Sequence, residues 1–129
     1  MILTIDFDDP RPIFLQVRDG LVWGIATGQL QAGEQLPSVR QLAEDLGVNL
    51  HTANKAYQAL REEGLIHLNQ RSGAVVKGME APSGEFRRLY GQRIRLLAAE
   101  ARCHGLDEDA FLDICRDALR ALREKEGNV

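Results

Sequence analysis

The spacing of apolar residues along the chain changes several times, and each change predicts an element. Leu3, Ile5 and Phe7 alternate with Thr4, Asp6 and Asp8, the period of a half-buried strand or extended arm, before Pro10 and Pro12 interrupt it. From Pro12 the spacing is helical: Phe14, Val17, Leu21 and Ile25 form a stripe widened by Leu15 and Val22, with Gly28 as its stop. The segment GQLQAGEQLPS, residues 28–38, holds two glycines and a proline and reads as a connection. Val39, Leu42, Ala43 and Leu46 then set a second helical stripe, and Ala53, Ala56, Tyr57 and Leu60 repeat its offsets in a third. After Gly64 the period falls to two: Leu65, Ile66 and Leu68 precede a turn at NQRSG, and Ala74, Val75 and Val76 return as the second strand of a hairpin. The run GMEAPSG, residues 78–84, has the composition of a linker, and two further helical stretches follow with Gly105 between them.

The punctuation between the second and third helices carries more information than their stripes. Ser38 is an N-cap residue with Gln41 three positions later, the spacing of a capping box. Gly47 suits the left-handed conformation that ends a helix, Val48 can plug the corner, and Asn49 can cap the next helix. This is a helix-turn-helix, and the hairpin after it is a wing. The expected fold is mainly α with a small β wing: a winged helix-turn-helix domain over residues 1–78, a linker over 79–84 and a two-helix dimerisation region over 85–129.

Composition limits what such a chain can do. At 129 residues and 44% hydrophobic content it can build one principal core. Its formal charge of -3 supplies no global attraction to a polyanion, so a nucleic-acid function has to rest on local placement of charge. Residues 34–77 carry five basic and five acidic side chains, so one copy is expected to bind DNA weakly and two copies to be needed. Two cysteines, no leader-like start and no long apolar run predict a cytoplasmic chain with free thiols and no membrane partner.

The polar side of the third helix is where the chemistry concentrates. Asn49, His51, Thr52, Asn54, Lys55 and Gln58 crowd away from its apolar stripe. A polar helix face is usually just solvated. In the second helix of a helix-turn-helix, however, such a face enters the major groove and its first residues meet base edges. Asn54 is suited to adenine N6 and N7, Thr52 to a phosphate or a thymine methyl, and Lys55 to a phosphate or guanine. Arg40, in the preceding helix, and Arg71, at the hairpin turn, can hold backbone phosphates on either side, although a charged hairpin tip is also an ordinary surface feature.

The run PIFLQVRDGLVWGIATGQLQAGEQLPSVRQLAEDLGVNLHTANKAYQALREEGLI, followed by RSGAVV, resembles the winged-helix domain of the GntR family of bacterial transcription regulators. The short tail resembles that of its YtrA-type branch, whose members dimerise through that tail and often control transport operons. The resemblance implies that Arg40 and Thr52 are DNA contacts and that Gly73 belongs to the wing tip; Ser38 and Asn49, at the two helix starts, are expected on the DNA-binding side as well. The chain departs from the family pattern at Leu50 and Asn54, where members often carry arginine, which weakens any transfer of guanine contacts and leaves the target sequence open.

In the tail, Phe86, Leu89, Tyr90, Ile94, Leu97 and Ala101 stripe the first helix, and Phe111, Cys115, Ala118 and Leu122 stripe the second, flanked by Leu112 and Leu119. Two helices cannot bury both stripes by themselves, so Phe86, Leu89, Tyr90, Leu97, Phe111, Cys115, Leu119 and Leu122 are expected at a homodimer interface rather than folded back on the wing domain. Cys103, His104 and Cys115 are zinc-ligand types, but adjacent Cys-His cannot easily face one ion and a fourth ligand is not evident, so buried free thiols and no cofactor are expected. No nucleophile with a positioned base and no phosphate-cradling loop occurs, which argues against an enzyme. The expected function is a dimeric repressor of a two-fold symmetric operator. The alternative is a winged-helix module that binds a protein partner, which the zero local charge permits.

Overall fold

A computed structural model describes residues 3–69 and 73–124. Among them lie five helices, α1 (Ile13–Ala26), α2 (Val39–Leu46), α3 (Leu50–Glu62), α4 (Gly84–Cys103) and α5 (Glu108–Arg123), and two strands, β1 (Ile66–Asn69) and β2 (Gly73–Val76). The chain separates into a compact unit up to Met79 and a second one over Glu80–Glu124.

In the first unit, α1, α2 and α3 close around one core. Val17 and Leu21 enter it from α1, Leu42 and Ala43 from α2, and Ala53, Ala56, Tyr57 and Leu60 from α3. Each of the fully buried leucines withdraws enough apolar surface to contribute about 2–3 kcal/mol. Gly24 is buried on α1 because Leu30 lies over it; a Cβ there would come within 2.9 Å of the leucine Cδ1. Phe14, expected in the α1 stripe, is only half-buried, and Gln16 takes a buried place instead.

Gln16 explains why the N-terminal segment is not a strand. Its side-chain Nε2 donates to the Asp6 carbonyl at 2.9 Å and its Oε1 accepts from the Asp6 amide at 2.9 Å. One primary amide thus satisfies both main-chain groups that a neighbouring strand would have paired. Leu3 and Ile5 still pack half-buried on the core while Phe7 is exposed, so the alternating pattern marked an arm whose first part lies on the core.

β1 and β2 pair antiparallel, Ile66 opposite Val76 and Asn69 opposite Gly73. The other edge of β2 is met by the connection before α2: the Gly33 amide donates to the Val76 carbonyl, the Val76 amide to Glu34, and the Leu36 amide to Ala74, with Gln35 bridged to Val75. The hairpin is therefore fastened on both edges of its inner strand. Arg18 on α1 holds Glu63, the C-cap of α3, through Nε at 3.0 Å and through its terminal nitrogen, and this partner raises the guanidinium pKa further.

In the second unit, Ser83 caps α4 by accepting from the Phe86 amide, so Gly84 belongs to the helix rather than to the connection before it. Asp107 caps α5 through the Ala110 amide, with Glu108 and Asp109 in its first turn and Arg120 and Arg123 in its last, each charge complementing the helix dipole. Neither helix buries a residue.

Candidate nucleic-acid interface

The site is built on the corner between α2 and α3. Ser38 is extended, and its Oγ accepts from the Gln41 amide at 3.1 Å. The return half of the expected capping box is absent: Gln41 Nε2 donates instead to the Asp45 carboxylate at 2.7 Å, a stronger acceptor one turn on. Gly47 ends α2 with φ 67°, in the left-handed region, and the Val48 amide donates back to Ala43. Val48 then turns inward against the core, and Asn49 starts α3 by accepting from the His51 amide at 2.7 Å.

That corner decides which side of α3 faces out. With Ala53, Ala56, Tyr57 and Leu60 fully buried, His51, Asn54 and Lys55 are exposed and Thr52 and Gln58 are half-buried at the margins. Leu50, the first residue of the helix, is also exposed, at 42%. α3 carries no carboxylate before Glu62, so its first three turns present amide, imidazole, hydroxyl and ammonium groups to solvent without a competing negative charge. Arg40, the second residue of α2, is exposed.

The candidate residues are not all free to reach a ligand. Ser38 and Asn49 spend their oxygens on capping. The Lys55 ammonium sits 4.3 Å above the Phe14 ring, drawn toward the α1 side of the face. Sequence spacing offers no signal for that contact, because it joins two helices far apart in the chain. Gly73 takes φ 72° and opens β2 opposite Asn69, while Arg71 lies outside the described residues.

The tail residues named from the sequence are spread over two largely open faces. Phe86, Leu89, Tyr90 and Leu97 on α4 and Leu119 on α5 are exposed, between 46% and 61%, and Phe111, Cys115 and Leu122 are half-buried. The Phe86 and Tyr90 rings pack against each other, tilted by 42° with centroids 5.4 Å apart. The expectation of two buried thiols fails: Cys103, the last residue of α4, is exposed and Cys115 is half-buried, because neither helix has a covering layer in a single chain. Among the described residues no helix is long and apolar enough to cross a membrane.

The family described as "Bacterial regulatory proteins, gntR family" matches residues 14–76. The HTH-type transcriptional regulator Rv1152 of Mycobacterium tuberculosis is 34% identical over 74 residues, which are 57% of this chain and 61% of that protein. This chain therefore spans less than two thirds of the length of the relatives it matches. Among solved structures, YtrA from Sulfolobus acidocaldarius, a GntR-family transcription factor, is 38% identical with a TM-score of 0.64, over 77% of this chain and 99% of YtrA. A transcriptional antiterminator from Listeria monocytogenes EGD-e superposes over 100% of this chain and 96% of its own with a TM-score of 0.89; at 21% identity that likeness concerns the fold alone. The DNA-binding domain of AraR, solved in complex with operator ORX1, is 27% identical with a TM-score of 0.54, over 59% of this chain and 98% of that domain. The matched family and proteins are described as transcription regulators.

Proposed function

The chain belongs to the GntR family of bacterial regulatory proteins, and on that premise we propose that it is a sequence-specific DNA-binding transcriptional regulator, a cytoplasmic homodimer that represses by occluding a two-fold symmetric operator. The observation that carries this reading is the first half of α3: an outward row of His51, Asn54 and Lys55, free of carboxylates, held at a fixed angle by the Gly47 corner and followed directly by a wing. In this reading α3 lies in the major groove, His51, Thr52, Asn54 and Gln58 meet bases, and Lys55, Arg40 and the wing around Arg71 and Gly73 meet phosphates. Ser38 and Asn49 serve by aiming the two helix starts. The operator complex of the similar AraR domain supports a DNA partner.

The dimer completes the proposal. The unit up to Met79 is the DNA-binding part and α4 with α5 the dimerisation part, with the connection ending at the Ser83 cap. α4 and α5 display the large apolar side chains of Phe86, Leu89, Tyr90, Leu97 and Leu119 to solvent, the kind of surface that interaction sites use. A second copy covers it symmetrically and doubles the phosphate contacts of a wing unit with little net charge of its own. Control of a transport operon is the regulatory role that the YtrA-like tail suggests.

The deciding experiment offers the purified chain a pool of random DNA duplexes. Enrichment of an inverted repeat, with affinity that falls steeply as salt rises, is the expected result. Equal retention of all sequences returns the function to a protein-binding winged helix.

A further inference from the structure

Leu50 is the anomaly of the α3 face. It is the first residue of the helix, its side chain is 42% exposed, and every outward neighbour in the first two turns is polar. It does not belong to the core cluster and is not packed against it, unlike Leu46 at the end of α2 and Leu60 further along α3. Asn54 stands one turn further on, on the same edge of the helix, because residues four apart stack. Its amide is exposed and makes no hydrogen bond among the described residues. On the other edge Lys55 is drawn over Phe14. The Leu50–Asn54 edge therefore holds one apolar group and one bidentate amide, with no cation.

Resting on the DNA-binding reading above, we propose that this edge reads an A·T-containing step in each half-site, Leu50 packing on a thymine C5-methyl and Asn54 pairing with adenine N6 and N7. The major groove presents these two features and no others that suit such a pair: the methyl is its only apolar group, and an amide matches adenine's donor and acceptor. Guanine, which shows two acceptors, is best met by arginine or lysine, and the edge has neither. Four residues along a helix advance about 6 Å, close to two base-pair steps, so the thymine and the adenine lie within about two base pairs of each other.

The test uses the full chain and the duplexes it enriches from a random pool. In those duplexes each thymine is replaced in turn by uracil, which removes only the methyl. One uracil position per half-site is expected to weaken the wild type about fourfold, the worth of one buried methyl, and to leave Leu50→Ala indifferent. Asn54→Arg is expected to move the preferred base near that position from adenine to guanine. Enriched sites whose uracil scan is flat, or identical for wild type and Leu50→Ala, overturn this inference while leaving DNA binding in place. A wild-type chain that enriches nothing overturns both.

Discussion

The Tyr57 hydroxyl donates a 2.6 Å hydrogen bond to the Pro37 carbonyl, from the middle of α3 to the residue just before the Ser38 cap of α2. The ring is fully buried, so this bond ties the entry of one helix to the body of the other across the core. The angle at which α3 leaves the corner is thus set twice, once by Gly47 and once here.

Replacing Tyr57 by Phe leaves the ring in place and a carbonyl without its donor, and is expected to cost about 1–2 kcal/mol in urea unfolding. The pH dependence follows from burial, which raises the Tyr57 pKa above its ordinary value of 10.0. The folded chain then keeps a proton that the unfolded chain gives up, so the contribution is complete below the unfolded value and is lost as pH rises beyond it toward the folded one. Unfolding titrations between pH 8 and pH 11.5, on about half-unit steps, are expected to show a steeper alkaline loss for wild type than for Tyr57→Phe.

Gly47 at φ 67° has open space where a Cβ would stand, so Gly47→Ala is a test of backbone conformation alone. The left-handed penalty predicts a loss of about 1–2 kcal/mol in thermal or urea unfolding. Gly47→Asn is expected to lose less, since asparagine tolerates that region.

For DNA binding, Arg40→Ala is expected to weaken all sequences alike and to lower the slope of log affinity against log salt by about 2 in a dimer, one phosphate contact per protomer. His51→Ala is expected to change the ranking of half-sites with little change in slope. Fluorescence titrations on enriched and scrambled duplexes, at four salt concentrations spanning about 50–200 mM, separate these outcomes. An Arg40→Ala slope equal to wild type excludes the groove orientation described.

A chain ending at Gly78 retains every residue of the core cluster and is expected to stay folded as a monomer. Leu119→Asp, at an exposed position of α5, is expected to split the intact dimer without disturbing the wing unit. Sedimentation velocity reads both. A truncated chain that still dimerises removes the tail from the interface.

The three helices of the wing unit were legible because their signals are local: a 3.6-residue period, a cap before and a glycine after. The same local rules left Leu3–Phe7 open between a strand and an arm; it is an arm, because the main-chain partner of Asp6 is a side chain ten residues away, Gln16. They gave Gln41 to Ser38, when Asp45 one turn further offers a charged acceptor. The polar face of α3 could be written down from spacing, but the capture of Lys55 by Phe14 depends on how α1 crosses α3. In the tail the stripes were visible, but the inference from them to two buried thiols failed: Cys103 is exposed and Cys115 half-buried, because an apolar stripe fixes which side of a helix a residue lies on and not whether anything covers it.

The fastening of β2 has a consequence for how such a protein changes over generations. Gly33, Glu34, Leu36, Ala74 and Val76 join the hairpin's root to the connection before α2 through main-chain amides and carbonyls, beside the core packing of Leu36, Ala74 and Val76. No substitution other than proline deletes those bonds directly. Side chains at the root can therefore change without removing the bonds that place it, so a lineage can alter the chemistry displayed there without first rebuilding the hairpin's attachment.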